Sequence, residues 1–256
     1  MSLRAGRSNP GKTRLDQELV RRGLVATRSQ AENYIRLGRV RVGGRVITKP
    51  GFFVTNDARI ELDQDEQFVS RAALKLKSVA DKLQLDFADK IVLDVGSSTG
   101  GFTEFALSRG AKKVIAVDVG TDQLHPKLRG DSRIELHEKT DIRKFRLEHK
   151  PDIILIDVSF ISLREILPHV AQYLATPKTA VVAMVKPQFE TGARVKNAGV
   201  VKNDTERRRI LRDFEAWVKK YFLILAKADS EIPGTHGNQE RFYVLKCAKM
   251  EKKENA

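Results

Sequence analysis

The sequence predicts a two-part chain of the α/β class, with a small α+β unit followed by a parallel sheet that has helices on both faces. Three observations carry this. From residue 91 onward four apolar runs, "IVLDV", "KVIAVDV", "DIILIDV" and "TAVVAMV", alternate with helical segments such as "FTEFALSRG" and "LREILPHVAQYL". Strands that are apolar throughout and separated by helices belong to a parallel sheet buried on both faces. Ahead of them, residues 13–63 show shorter periods that suit two brief helices and a hairpin. The charge is also uneven. The 256-residue chain has a formal net charge of +14, and residues 1–63, with 13 basic and 6 acidic residues, hold half of it.

Residues 1–12 read as a disordered basic arm. The stretch "TRLDQELVRRGL" places Leu15 and Leu19 on one helical face and stops at Gly23, a suitable glycine for a helix end. Next, "TRSQAENYIRLG" sets Thr27 and Gln30 at capping-box spacing, turns Ala31, Tyr34 and Ile35 inward and stops at Gly38. In "RVRVGGRVI" Arg39 and Arg41 alternate with Val40 and Val42, and Gly43-Gly44 suits a hairpin turn. Eleven of the 13 basic residues are arginines, which fork onto phosphates better than lysine does. Such an excess favours an anionic polymer, since each neutralised phosphate releases a counterion. Arg14, Arg28, Arg36, Arg39, Arg41, Arg45 and Lys49 are the candidate contacts. Residues 64–69, "QDEQFV", form a short acidic link.

This stretch resembles the small RNA-binding domain named after ribosomal small-subunit protein four. The matching residues are Arg14-Leu15-Asp16, Leu19, Gly23-Leu24, Ser29, Ala31, Ile35, Gly38, Val40, Val42, Gly44 and Lys49-Pro50, with their spacing kept. The resemblance implies a structured RNA as partner rather than DNA.

In the second part, "DVGSSTGG" (residues 94–101) forms a glycine-rich turn between a strand and a helix. A dinucleotide fingerprint needs G-x-G-x-x-G. Here Gly96 is followed by Ser97-Ser98-Thr99 and then Gly100-Gly101, so its second glycine is missing, and no Walker lysine follows. Asp94 beside the turn would also repel a pyrophosphate. S-adenosylmethionine suits the turn better, with its sulfonium, its amino group and ribose hydroxyls for a carboxylate. Asp118, at the next strand end, is placed for those hydroxyls, and Asp141 falls where adenine could lie. Ligands of such sheets sit beyond the carboxyl ends of the strands, and those ends carry Asp94, Asp118, Asp157 and Lys186.

Over nearly the whole chain, "VSRAALKL", "LDVGSSTGGFTE", "AVDVGTDQL", "IDVSFISL", "MVKPQFE" and "GNQE" are similar to the TlyA family. These are 2′-O-methyltransferases of ribosomal RNA, related to the FtsJ-type enzymes and also called hemolysins. The resemblance implies a Rossmann-like, S-adenosylmethionine-dependent methyltransferase sheet over residues 70–249, then a disordered tail over residues 250–256. It implies transfer to a ribose 2′-hydroxyl, of cytidine in characterised members, with ribosomal RNA or ribosomal subunits as partner. The catalytic tetrad of FtsJ-type enzymes falls on Lys75, Asp157, Lys186 and Glu240, each in a matching motif. The cofactor-binding set falls on Asp94, Gly96, Ser98, Gly100, Gly101, Phe102, Asp118, Asp141 and Asp157. Ala72-Ala73 stand where many relatives have a glycine pair, and Asp141 where they often have Asn; the link lacks the tryptophans of some members.

A ribose hydroxyl is a poor nucleophile until its proton is at least partly removed, so the protein's task is in-line positioning and handling that proton. Lys186 is the expected proton acceptor or alkoxide stabiliser. To accept a proton it must be neutral, which calls for crowding by Lys75 and the sulfonium and for partial burial. Asp157 would orient Lys186, and Glu240 would fix Lys75 or the ribose. Each residue also has a plain reading, as a solvated lysine, a turn cap or an exposed loop charge.

The alternatives are an RNA-binding protein with an inactive methyltransferase fold and a membrane-active hemolysin. The apolar runs are too short to span a bilayer, and "MSLRAGRSNPGKTR" lacks the apolar centre of a secretory signal. A single cysteine, Cys247, excludes an internal disulfide, and the five histidines, His236 included, show no metal-ligand spacing. A cytoplasmic protein without metal or membrane partner is therefore expected, monomeric or homodimeric. In "TERRRILRDFEAWVKKYF" the apolar face reads as core, with Arg207, Arg208 and Arg209 as possible RNA contacts; the basic loop "FETGARVKNAGVVKND" reads as a cover over substrate.

Overall fold

A computed structural model describes residues 11–25, 27–36, 38–63, 68–191, 200–201, 203–234 and 237–248. The chain divides into two compact units, Met1–Gln67 and Phe68–Ala256. Residues 1–10 of the expected arm, 64–67 of the link, most of the basic loop after Lys186, His236 and the tail lie outside the described residues.

In the first unit, β1 (Lys12–Arg14) leads directly into α1 (Leu15–Arg21), and α2 (Arg28–Arg36) follows. Lys12, assigned above to the arm, pairs with Thr55. Then come β2 (Val40–Val42), β3 (Arg45–Ile47), β4 (Phe53–Thr55) and β5 (Ile60–Leu62). β2 lies between β3 and β5, and β1 pairs antiparallel with β4. The β2–β3 turn holds Gly43 at φ 56 and Gly44 at φ 77, the left-handed pair that a tight two-residue hairpin needs. Thr27 Oγ1 accepts the amide of Gln30 and caps α2. Leu15, Leu19, Val25, Ala31, Ile35, Val40 and Val54 close the core.

The second unit runs α3 (Arg71–Ala80), β6 (Ile91–Val95), α4 (Gly101–Ser108), β7 (Lys113–Val117), α5 (Pro126–Arg129), β8 (Ile134–His137) and β9 (Ile153–Ile156). It continues through α6 (Leu167–His169), β10 (Ala180–Val185), α7 (Asp204–Val218), β11 (Phe222–Asp229) and β12 (Arg241–Cys247). The sheet order is β11-β12-β10-β9-β6-β7-β8, parallel from β8 to β10, with β12 antiparallel to both its neighbours. Alternate strand residues feed opposite faces. Leu93, Val95, Ile154 and Ile156 pack with Leu211 and Phe214 of α7. Val92, Val114, Leu155 and Met184 pack with Leu76 and Val79 of α3 and with Phe105 of α4. From β6 the chain proceeds outward to β7 and β8, then returns to β9 on the other flank. That reversal opens a crevice at the carboxyl ends of β6 and β9.

Two departures from the sequence reading matter. "LREILPHVAQYL" is not one helix: α6 is short, and a wide turn closes from the Ala175 amide to the Val170 carbonyl. Pro168, lacking an N–H, interrupts the regular ladder. The sequence reading gives no strand at β8, whose four residues include no fully buried one, or at β11 and β12, where lysines in "FLILAKAD" and "RFYVLKC" occupy exposed positions and break the apolar run.

Candidate active site

Asp94, near the end of β6, is fully buried. Its Oδ2 accepts the Thr103 hydroxyl at 2.6 Å, while Oδ1 is buried with no hydrogen-bond partner among the described residues. Burial above all, with Asp157 and Asp118 nearby, pushes its carboxyl up to about 7 against the hydrogen bond from Thr103. The glycine turn follows. Gly96 has φ +81, and a Cβ there would stand 2.5 Å from the Asp157 carbonyl oxygen, so the ends of β6 and β9 meet with no room for a side chain. Gly100 and Gly101 are similarly enclosed, by Leu124 and Leu128 and by Ser70 and Ala72.

Asp118, following β7, turns its carboxylate onto this loop. Oδ2 accepts the Ser98 amide at 2.9 Å and Oδ1 accepts the Gly120 amide at 2.7 Å. The Thr140 amide bonds the Asp118 carbonyl oxygen, which brings Asp141 to the neighbouring loop. There the Arg143 guanidinium forks onto the Asp141 carboxylate and holds it at about 2. Phe102 belongs to the core, its ring 6.0 Å from that of Phe242.

The four tetrad positions form two ion pairs. Lys186 Nζ lies 2.6 Å from Asp157 Oδ1, with 11% and 15% of the side chains exposed. Lys75 Nζ lies 2.5 Å from Glu240 Oε2, with 11% and 3% exposed. The sheet explains their proximity. β9 and β10 run parallel and end just before Asp157 and Lys186. The antiparallel β10–β12 register pairs Val185 with Arg241, so Glu240, entering β12, stands beside Lys186. Lys75 reaches Glu240 from α3, whose apolar face holds Leu76 and Val79 against the sheet.

Three residues at this site escaped the sequence reading. Ser159 Oγ accepts a hydrogen bond from Lys186 Nζ at 2.7 Å. Phe160 is 93% exposed at φ 66, a left-handed conformation uncommon for a bulky residue, and its ring lies 5.5 Å from that of Phe189. Glu190 is buried and bonds Ser162 and Leu163. The available signal was the phenylalanine in the short turn "DVSFISL", where no apolar periodicity asks for one.

The basic positions of the first unit divide into two groups. Arg14 and Arg28 converge on buried Asp16, Arg39 pairs with Asp63 at 2.7 Å, and Arg36 lies 3.8 Å from Glu32. Arg41, Arg45 and Lys49 are exposed on and beyond the hairpin. In the second unit Arg207 is buried against Asp229 and the Gln239 carbonyl, which corrects its assignment to an RNA surface; Arg208 and Arg209 are exposed. Among the described residues no cluster of three metal-ligating side chains occurs, and no helix is long and apolar enough to cross a membrane.

Comparison with known proteins adds to this geometry. Residues 68–247 match the model of the FtsJ-like methyltransferases, and residues 13–60 match the S4 domain. The chain is 37% identical to the 16S/23S rRNA (cytidine-2′-O)-methyltransferase TlyA of Mycobacterium tuberculosis, over 92% of this chain and 90% of that one. It is 42% identical to the 23S rRNA (cytidine-2′-O)-methyltransferase TlyA of Campylobacter jejuni, over 74% and 75%. A solved structure from Streptococcus thermophilus that carries the hemolysin label superposes with a TM-score of 0.70 at 37% identity, covering 93% of this chain and 90% of that one.

Proposed function

The chain belongs to the FtsJ-like methyltransferase family, and from that premise we propose that it methylates the ribose 2′-hydroxyl of a cytidine in ribosomal RNA, with S-adenosylmethionine as donor. One observation carries the reading: two enclosed lysine–carboxylate pairs stand at the strand ends beside a glycine turn that admits no side chain.

The turn and its neighbours suit that donor. The buried, unpartnered Asp94 Oδ1 is an acceptor awaiting a donor or a positive charge. Asp118 is held at the mouth of the turn by two backbone amides and keeps further lone pairs for ribose hydroxyls. When bound, the donor supplies a methyl group already activated by a positively charged sulfur. Asp94, the Gly96–Gly101 turn and Asp118 would hold it, and Asp141 lies on the adjoining loop.

What remains for the protein is the hydroxyl. Asp157 and Ser159 fix the Lys186 ammonium from two sides, so the side chain need not be ordered at the moment of reaction. A preorganised amine in an enclosed site stabilises a developing alkoxide far better than water does. Lys186 therefore meets the 2′-oxygen: as the ammonium it offsets the developing charge, and it takes the hydroxyl proton only after releasing one of its own to solvent. Glu240 holds Lys75 beside it, and that second pair orients the ribose. Phe160, exposed beside Phe189, offers a ring face on which the target base stacks; such stacking is worth about 1–3 kcal/mol per base. The S4 unit supplies basic contacts to the surrounding RNA, and a cytoplasmic location follows from a ribosomal substrate.

The test uses purified protein, labelled S-adenosylmethionine and ribosomal subunits from cells lacking the gene. The expected outcome is labelled 2′-O-methylcytidine at one or a few sites. Cofactor binding without any transfer to either subunit would instead favour an inactive methyltransferase fold serving as an RNA-binding protein.

A further inference from the structure

The two loops that carry the Lys186–Asp157 pair lie just beyond the ends of their strands, where the last ladder bond on the β9 side runs from the Asp157 amide to the Val95 carbonyl. After β10 the chain makes one tight turn, in which the Phe189 amide bonds the Lys186 carbonyl and the Glu190 amide bonds that of Pro187. After β9 it passes through Asp157, Ser159 and the left-handed Phe160 to Ser162. Glu190 closes the gap between them. Its Oε1 accepts the Leu163 amide at 2.8 Å, and its Oε2 accepts the Ser162 hydroxyl at 2.7 Å. Arg164 Nε lies 3.7 Å away, so the carboxylate sits largely among neutral donors. Burial raises its carboxyl above the ordinary carboxylate range, against the pull of those donors. A carboxylate that is 7% exposed and only loosely neutralised is costly to keep.

We infer that Glu190 is a positioning residue for methyl transfer: it ties the Lys186 loop to the Asp157 loop and so sets the amine's place relative to the substrate hydroxyl. A closed ring of contacts results. It runs from the Lys186 backbone through the turn to Glu190, across to Ser162, and back along the β9 loop to Asp157 and Ser159, which grip the same amine from the other end. Phe160 and Phe189, one on each loop, ride on that ring. Glu190 touches none of the reacting atoms and acts only through the loops. The effect of losing it is a displacement of the amine, and about 1 Å of misplacement costs on the order of a hundredfold in rate.

This inference rests on the methyltransferase reading, and the experiment separates the two. Single-turnover transfer to ribosomal subunits, cofactor affinity by calorimetry and thermal unfolding are measured for the wild type, Glu190→Ala, Glu190→Gln and Ser162→Ala. Absence of transfer by the wild type overturns the functional reading itself. With an active wild type, the expected result for Glu190→Ala is a single-turnover rate lower by roughly 30- to 100-fold with cofactor affinity within about threefold. Glu190→Gln can still accept the Leu163 amide and donate to the Ser162 oxygen, so its rate should recover to within about fivefold of wild type. Ser162→Ala removes one of the two ties and should fall between them; it decides the matter if Glu190→Ala does not fold. Unchanged transfer in Glu190→Ala, or in a folded Ser162→Ala where the alanine variant is lost, overturns the inference. So does a loss of rate matched by an equal loss of cofactor affinity, or a glutamine variant as slow as the alanine one.

Discussion

In the N-terminal unit two carboxylates are buried while most of the guanidiniums paired with them stay outside. Asp16 and Glu18 are fully enclosed, whereas their partners Arg14, Arg21 and Arg28 keep 38%, 57% and 53% of their side chains in solvent. At the carboxyl end of the methyltransferase sheet, by contrast, both members of each pair are enclosed. The same chemical pairing thus has two uses. A buried acid beneath exposed arginines fixes where the cations stand and leaves their outer faces for a polyanion. A cation buried with its acid loses most of its water, and its charge then acts on whatever small region of substrate reaches it.

The sharpest way to break this contrast is to remove one enclosed cation. Lys186→Met keeps the length and apolar stem of the side chain but deletes the amine. Transfer should fall by on the order of a thousandfold or more, with cofactor affinity within a few-fold and RNA affinity unchanged. Retained activity at alkaline pH would mean that the amine is not the group acting on the hydroxyl. The next largest effect belongs to Gly96→Ala. Its Cβ would have to share space with the Asp157 carbonyl at a left-handed backbone angle, a strain of about 1–3 kcal/mol before any clash. Calorimetry should show cofactor affinity lower by at least about tenfold, with a lower melting temperature.

How much of this arrangement the sequence makes legible follows from the kind of signal each part carries. The four central strands stand out because burial on both faces leaves uninterrupted apolar runs. β11 and β12 do not, since their outward positions carry Lys227, Lys246 and exposed leucines. Gly96, Asp94 and Asp118 are readable from spacing, because one strand–turn–helix unit fixes their relation. The pairing of Lys75 with Glu240 is not. It depends on α3 packing across the sheet and on an antiparallel strand entering beside β10, and from residue types alone Lys75 reads equally well as a solvated lysine. Arg207 shows the opposite failure: a basic run suggested surface, while tertiary packing buried its first member on Asp229. Glu190 closes the motif "MVKPQFE", but its contacts carry no sequence signal, since its partners lie 27 and 28 residues away.

A pH experiment sharpens the comparison because the two regions respond with opposite sign. In the first unit the hydrogen bonds from Arg21, with Arg22 assisting, hold the Glu18 carboxyl at about 2. A lowered folded value contributes stability that is present above the ordinary range and lost as pH falls toward 2. Asp94 behaves in reverse, at about 7 against an ordinary 3.8. Between those values the folded chain holds a proton that the unfolded chain does not, so its contribution is largest below about pH 4 and disappears as pH rises through 7. Denaturant unfolding from pH 4.5 to 7.5 should therefore show wild type losing stability relative to Asp94→Asn as pH rises. If the difference between the two proteins is flat over that range, Asp94 is not the buried acid described above.

The smallest effects should come from the exposed hairpin cations, and their smallness is itself the point. Arg45 and Lys49 carry exposed side chains. Each contributes one phosphate contact at most in the reading above, so Arg45→Ala or Lys49→Ala should weaken binding to ribosomal RNA by only about two- to fivefold. The salt dependence should respond more clearly, with the slope of log affinity against log salt shrinking by about 0.7–0.9 per lost contact. The rate of transfer at saturating RNA should stay at the wild-type level, because no part of the sheet end is touched. A variant that lowered that saturated rate instead would place a hairpin cation in the chemistry and erase the division of labour between outward-facing and enclosed charge.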